Sequence, residues 1–137
     1  MLTSRGLINI RLEETLPDAE LHRGIAEADI HLVPQAPDAA AFALPSKIFN
    51  IMAAGRPFVA TARPGSPLWR IQRASNAFVC VMPDDPAAFA HAIMRLADDA
   101  PMRARLGERG RAFVADHNAR PKVLEAFEAH IERLYAS

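Results

Sequence analysis

The chain has 137 residues and a mass of 15.0 kDa, with half its residues apolar and 23% charged. That length fits one domain burying roughly two-thirds of its unfolded surface, and the composition excludes a disordered, collagen-like or disulfide-stapled chain. Sixteen basic residues cancel sixteen acidic ones, which argues against a nucleic-acid footprint or an anionic-membrane anchor, since both need a positive excess.

Ile8, Ile10 and Leu12 alternate with Asn9 and Arg11, the period of a half-buried strand. Leu16-Pro17-Asp18 then opens a helix to about Ala28, with Asp18 as the expected N-cap and Leu21, Ile25 and Ala28 on one face. The run from Asp29 to Pro34 is mostly apolar and stopped by proline, as a central strand buried on both faces would be. An Ala-rich loop follows over 35–44. Pro45-Ser46 starts a helix that runs to Ala54, where Gly55 is a natural C-cap.

Phe58 to Thr61 reads as the next strand, Pro67 to Ser75 as a helix, and Phe78 to Met82 as a further strand. Cys80 lies inside that last run as the single cysteine. It permits no intrachain disulfide, fits core packing and points to a reducing compartment. Pro83-Asp84-Asp85-Pro86 caps a helix carrying Phe89, Ile93 and Leu96 at helical spacing, and shorter helical stretches are expected from about Pro101 to Asp116. A final helix over about 121–135 presents Leu124, Phe127, Ile131 and Leu134 as a stripe that must bury against something. No apolar stretch approaches the roughly 18 residues of a membrane span and no signal-peptide pattern opens the chain, so a cytoplasmic location is expected.

Strands alternating with helices predict an α/β fold, a doubly wound parallel sheet with right-handed crossovers. In such sheets ligands bind at the carboxyl ends of the strands, which directs attention to the long loop after Val33 and the helix beyond it. On that helix Ile48, Ile51 and Met52 share one face, while Ser46, Lys47, Asn50 and Ala54 lie on the other. Backbone N–H groups near Leu44, Ser46 and Lys47, with the lysine charge, would suit a phosphate. Spacing alone leaves open whether Lys47 and Asn50 are instead an ordinary solvated face.

No Walker loop, G-x-G-x-x-G or G-x-S-x-G occurs. Five scattered histidines lack metal-site spacing, so no metal is expected. His31 reads as a satisfied strand residue, Asp84 and Asp85 as helix-capping groups, and Arg103, Arg105, Arg109 and Arg111 as a solvated helical surface.

The order of these motifs resembles the donor-binding domain of family 4 glycosyltransferases, nearest to the colanic-acid-type subgroup of polysaccharide biosynthesis. The likeness runs through Ala28 to Pro34, Leu44-Pro45-Ser46-Lys47-Ile48-Phe49-Asn50-Ile51-Met52-Ala53-Ala54-Gly55-Arg56-Pro57, Phe58 to Thr61, Pro64-Gly65-Ser66, the strand at Phe78 and Leu106 to Arg111. It implies a Rossmann-like GT-B fold, in which two domains face across a cleft and the C-terminal one holds a UDP- or GDP-sugar. The whole of 1–137 resembles a single partial domain, the later part of that C-terminal unit.

By the resemblance, backbone around Leu44 and Ser46 approaches the donor, Lys47 neutralises phosphate, and Asn50 stands where many relatives place a ribose-binding glutamate. A neutral amide accepts the same bonds without charge assistance. Pro67 likewise stands where relatives often have glutamate. No residue of this chain is assigned a catalytic role and no cofactor is implied, because the family's usual catalytic histidine belongs to the acceptor domain. The expected partners are the nucleotide sugar and an N-terminal glycosyltransferase domain or a second copy, with transfer by this polypeptide alone not expected. A non-catalytic interaction or dimerisation module is the alternative reading.

Overall fold

The computed structural model describes residues 9–10 and 17–117. Its elements are α1 (Asp18–Glu27), β1 (His31–Val33), a 3₁₀ turn (Ala39–Ala41), α2 (Lys47–Ala53), β2 (Phe58–Thr61), α3 (Pro67–Ser75), β3 (Val79–Val81), α4 (Pro86–Asp98) and α5 (Ala100–His117). Asn9 and Ile10, the two described positions of the expected first strand, lie in a turn and irregular backbone. The rest of that strand and the expected helix over 121–135 fall outside the described residues.

The three strands form one parallel sheet in the order β1-β2-β3. Leu32 pairs with Val59, and Ala60 with Cys80. Alternation along β2 sends its side chains to opposite faces. Phe58 and Ala60 join Val33, the α2 residues Ile48, Ile51 and Met52, and Leu68 of α3 in one core. Val59 joins Ala92 and Leu96 of α4 and Leu106 of α5 in the other. The crossovers through α2 and α3 use the same face, as two crossovers of one hand must. The fold is the expected α/β arrangement, with helices on both faces of a parallel sheet.

The structure corrects several details. Among the described residues β1 lies at the edge of the sheet rather than at its centre: it is bonded only to β2, and its Leu32 remains 44% exposed. The strand whose four residues are all buried is β2, where Phe58 stacks on Phe78 with ring centroids 4.2 Å apart. Helix α1 is capped by Pro17 rather than Asp18, because the Pro17 carbonyl already accepts from Glu20 and Leu21 at 2.8 and 3.1 Å. The region from Pro101 to Asp116 is one continuous helix rather than shorter stretches.

Two glycines lie inside that helix where it packs closely on its neighbour. Gly107 and Gly110 are buried in the middle of α5, where α5 crosses α2. A β-carbon at Gly107 would collide with the Gly55 carbonyl oxygen, whereas one at Gly110 would lie 3.3 Å from Met52. These positions allow close helix approach and do not break the helix. Gly55 itself has φ +68 and closes α2 with paired bonds, Gly55 N–H to the Met52 carbonyl and Arg56 N–H to that of Ile51. That is the Schellman pattern, which requires a left-handed residue after the helix.

Candidate functional site

Helix α2 buries Ile48, Ile51 and Met52 and leaves Ser46, Lys47 and Asn50 exposed, as three- and four-residue spacing dictates. Leu44, just before the helix, is also exposed at 41%. The four residues therefore form one accessible ridge, with Lys47 its only formal charge. Ser46 makes no side-chain capping bond. Ile48 and Phe49 donate their N–H groups to the carbonyls of Pro45 and Ser46 at 3.2 Å. Since α2 has only seven residues, its stacked peptide dipoles are short, and attraction for an anion rests on Lys47 more than on the helix.

Sequence reasoning did not identify what holds this ridge. Gln35, just past β1, donates its N–H to Thr61 Oγ1 at 2.7 Å, and the Thr61 hydroxyl returns a bond to the Gln35 carbonyl at 3.3 Å. The Gln35 side-chain Nε2 donates to the Ala43 carbonyl at 3.3 Å, next to Leu44. Arg63, beyond β2, binds the other end of the loop. Its N–H reaches the Ala40 carbonyl at 3.4 Å, its Nε reaches that of Pro37 at 3.3 Å, and its guanidinium lies 3.7 Å from Asp84. The Ala-rich loop is thus fastened to the carboxyl end of the sheet by side chains about 26 positions away, which no local pattern reveals.

The other singled-out residues fall into structural roles. His31 Nε2 donates to the Ile25 carbonyl at 2.8 Å, which fixes α1 against the strand. Asp85 Oδ1 accepts from Ala88 N–H at 2.8 Å as the cap of α4. Among the arginines expected on a solvated surface, three make specific contacts with backbone carbonyls. Arg103 reaches the carbonyls of Leu96 and Ala97, Arg109 that of Asn76, and Arg111 that of Ala54. Burial pushes the Cys80 thiol up to about 11, partly offset by a backbone hydrogen bond with Ala62. Among the described residues no group of three His, Cys, Asp or Glu side chains is placed to hold a metal, and no helix is long and apolar enough to cross a membrane.

The parallel α/β fold agrees with the comparison that decides the family. The family described as "Glycosyl transferases group 1" matches residues 3–99. The chain belongs to the group 1 glycosyltransferases. No curated protein matches it. The matched segment of this glycosyltransferase takes in all three strands, α1 to α4, the Gln35 and Arg63 fastenings and the whole of Leu44, Ser46, Lys47 and Asn50. Sugar transfer is the chemistry associated with this family, and a sugar donor is its general partner.

Proposed function

We propose that this chain is the donor-binding part of a retaining glycosyltransferase, holding a UDP- or GDP-sugar for transfer to a glycan or lipid-linked acceptor in polysaccharide biosynthesis. The observation that carries this reading is the family match across the α2 ridge, where Ser46, Lys47 and Asn50 share one exposed face. In the proposed complex the backbone at Leu44 and Ser46 lies against the donor's diphosphate or sugar. The Lys47 ammonium supplies a point charge for the phosphate, which gains negative charge as the glycosidic bond to it breaks. The Asn50 carbonyl accepts from the ribose hydroxyls. Gln35 and Arg63 act as positioning residues, since they hold the loop that presents Leu44.

Transfer also requires an acceptor held opposite the donor and a closed cleft. A donor-binding part supplies one wall of such a cleft, so in this reading it binds donor without by itself turning it over. An N-terminal glycosyltransferase domain is the partner that would complete it.

The test is titration of the purified chain with UDP, GDP and their common sugar conjugates, following the amide resonances of Ser46, Lys47 and Asn50. Saturable shifts that are weakened in Lys47→Ala are expected. Absence of any response at millimolar ligand refutes a donor site and leaves the alternative, a non-catalytic interaction or dimerisation module. That alternative draws its support from Asn50 and Pro67 in places where the family often carries glutamate. Pro67 has a local reason to be there, as the first residue of α3 behind the Ser66 cap.

A further inference from the structure

Strand β3 ends the sheet on the side away from β1: among the described residues it is bonded to β2 and to no other strand. The Val81 carbonyl accepts from Ala62 N–H at 3.0 Å, which turns the Val81 main chain toward β2. Main-chain groups alternate in direction along a strand, so Val79 shares that orientation and the Cys80 N–H and C=O point to the open side. Proteins commonly blunt such an edge with a charge, a proline or a bulge. Val79, Cys80 and Val81 bring neither charge nor proline, and Met82 beyond them is 39% exposed.

A cavity of about 360 Å³ adjoins this strand. Cys80 and Val81 both line it, although Cys80 packs against the core under α3 and Val81 against the core under α4. The cavity therefore wraps the strand and is not confined to one face of the sheet. Trp69 and Arg73 of α3 line one side and Asp85, the cap of α4, the other. The two sides carry opposite charges. The Arg73 guanidinium stands 5.9 Å from the Trp69 ring centroid, and no carboxylate pairs with it among the described residues. Asp85 commits Oδ1 to the α4 cap, and an ionised carboxylate has room for further donors.

We propose that the open edge of β3 binds an extended segment of a partner protein as an added strand, with an acidic residue turned toward Arg73 and a neighbouring basic one toward Asp85. Side chains of an extended segment alternate between the two faces, so adjacent acid and base reach opposite sides of the sheet. An apolar residue on the acidic side enters the cavity over Trp69 and Cys80. Because β3 has only three residues, the main-chain bonds are few, and the side-chain contacts select the partner. A second copy of this chain is a poor occupant. Two-fold pairing of the β3 edges would set α3 beside its counterpart, and α3 carries Arg70 and Arg73 with no acidic residue. The surface shares no residue with the α2 ridge and stands whether or not that ridge binds a nucleotide sugar.

The test titrates the full chain with the peptide Thr-Thr-Val-Lys-Glu-Lys-Val-Thr-Thr, following backbone amide resonances. The Cys80 and Met82 amides are expected to shift saturably, and exchange of the Cys80 amide proton with solvent to slow. A peptide with the glutamate replaced by lysine should bind at least about fivefold more weakly, and Arg73→Glu, at an exposed position, should reverse that order while circular dichroism stays native. The original peptide N-methylated along its centre keeps every side chain but loses main-chain donors, and should not bind. The proposal is overturned if millimolar peptide gives no saturable shift, if the N-methylated peptide binds equally well, or if Arg73→Glu leaves the preference unchanged. It is also overturned if the Cys80 amide is already protected in the peptide-free protein, since a second copy or the chain itself would then hold the edge.

Discussion

Replacing Gly107 with alanine puts a methyl group where helix α5 touches the end of α2. The new carbon would stand 2.8 Å from the Gly55 carbonyl carbon and closer still to its oxygen. Neither atom is free to retreat, because Gly55 is fixed by its own bond to Met52 and by the Arg56 bond to Ile51. Overpacking of this kind costs about 1–3 kcal/mol or more, against which alanine returns about 1 kcal/mol of helix propensity. Gly110→Ala receives the same propensity gain, but its methyl meets Met52 at 3.3 Å, a contact that a shift of a few tenths of an ångström relieves. The expected result is a Gly107→Ala protein about 2 kcal/mol less stable than Gly110→Ala, with the latter near wild type. Urea unfolding followed by circular dichroism reads this directly. With a slope of about 1–3 kcal/mol per molar, the two midpoints should separate by roughly 1 M. Equal midpoints, or a Gly107→Ala midpoint above wild type, would refute the helix contact inferred here. Because α2 carries the Ser46, Lys47 and Asn50 ridge on its other face, Gly107→Ala should also broaden the amide signals of those residues.

Phe58→Ala removes half of the ring stack with Phe78 from the fully buried strand and should cost about 3–5 kcal/mol in the same assay; a loss below about 1 kcal/mol would contradict the core assignment. Cys80, with its thiol raised from 9.0 to about 11, should react slowly with iodoacetamide near neutral pH and faster as pH climbs toward 11. The unfolded chain releases that proton first, so the thiol's contribution to stability is intact below pH 9 and declines between pH 9 and 11. Rapid alkylation of the native protein at pH 8 would show that the thiol is not shielded. Asn50→Glu restores a charged acceptor at the proposed ribose contact and should tighten nucleotide-sugar binding by about tenfold in the amide titration; unchanged affinity would remove Asn50 from the site.

Some elements were legible because their signals are local. β2 and α3 fall on the expected boundaries, the strand from a short β-branched and aromatic run and the helix from Ser66-Pro67, where the Ser66 hydroxyl accepts from Trp69 N–H at 3.3 Å. Gly55 ends α2 for the reason its position gave. Sheet position was not legible, since an apolar run such as Ile30 to Val33 reads alike at the edge and in the middle. Gly107 and Gly110 look like interruptions until the helix they let approach is known. The exposed face of α2 could be drawn from helical spacing, but the Gln35, Thr61 and Arg63 bonds that fix its approach join residues far apart in sequence, as does the packing of Arg111 over the end of α2.

The family match stops at residue 99, and α5 begins at residue 100. Yet α5 contributes Leu106 to one core and packs Phe113 and Val114 against the other. A fragment trimmed to the recognised segment would therefore lose the element that ties both faces of the sheet together, and Met52 would lose its Gly110 neighbour. Anyone dissecting this protein should set the boundary by packing rather than by similarity. The recognisable stretch identifies the family, while the helix beyond it packs against both of that stretch's cores.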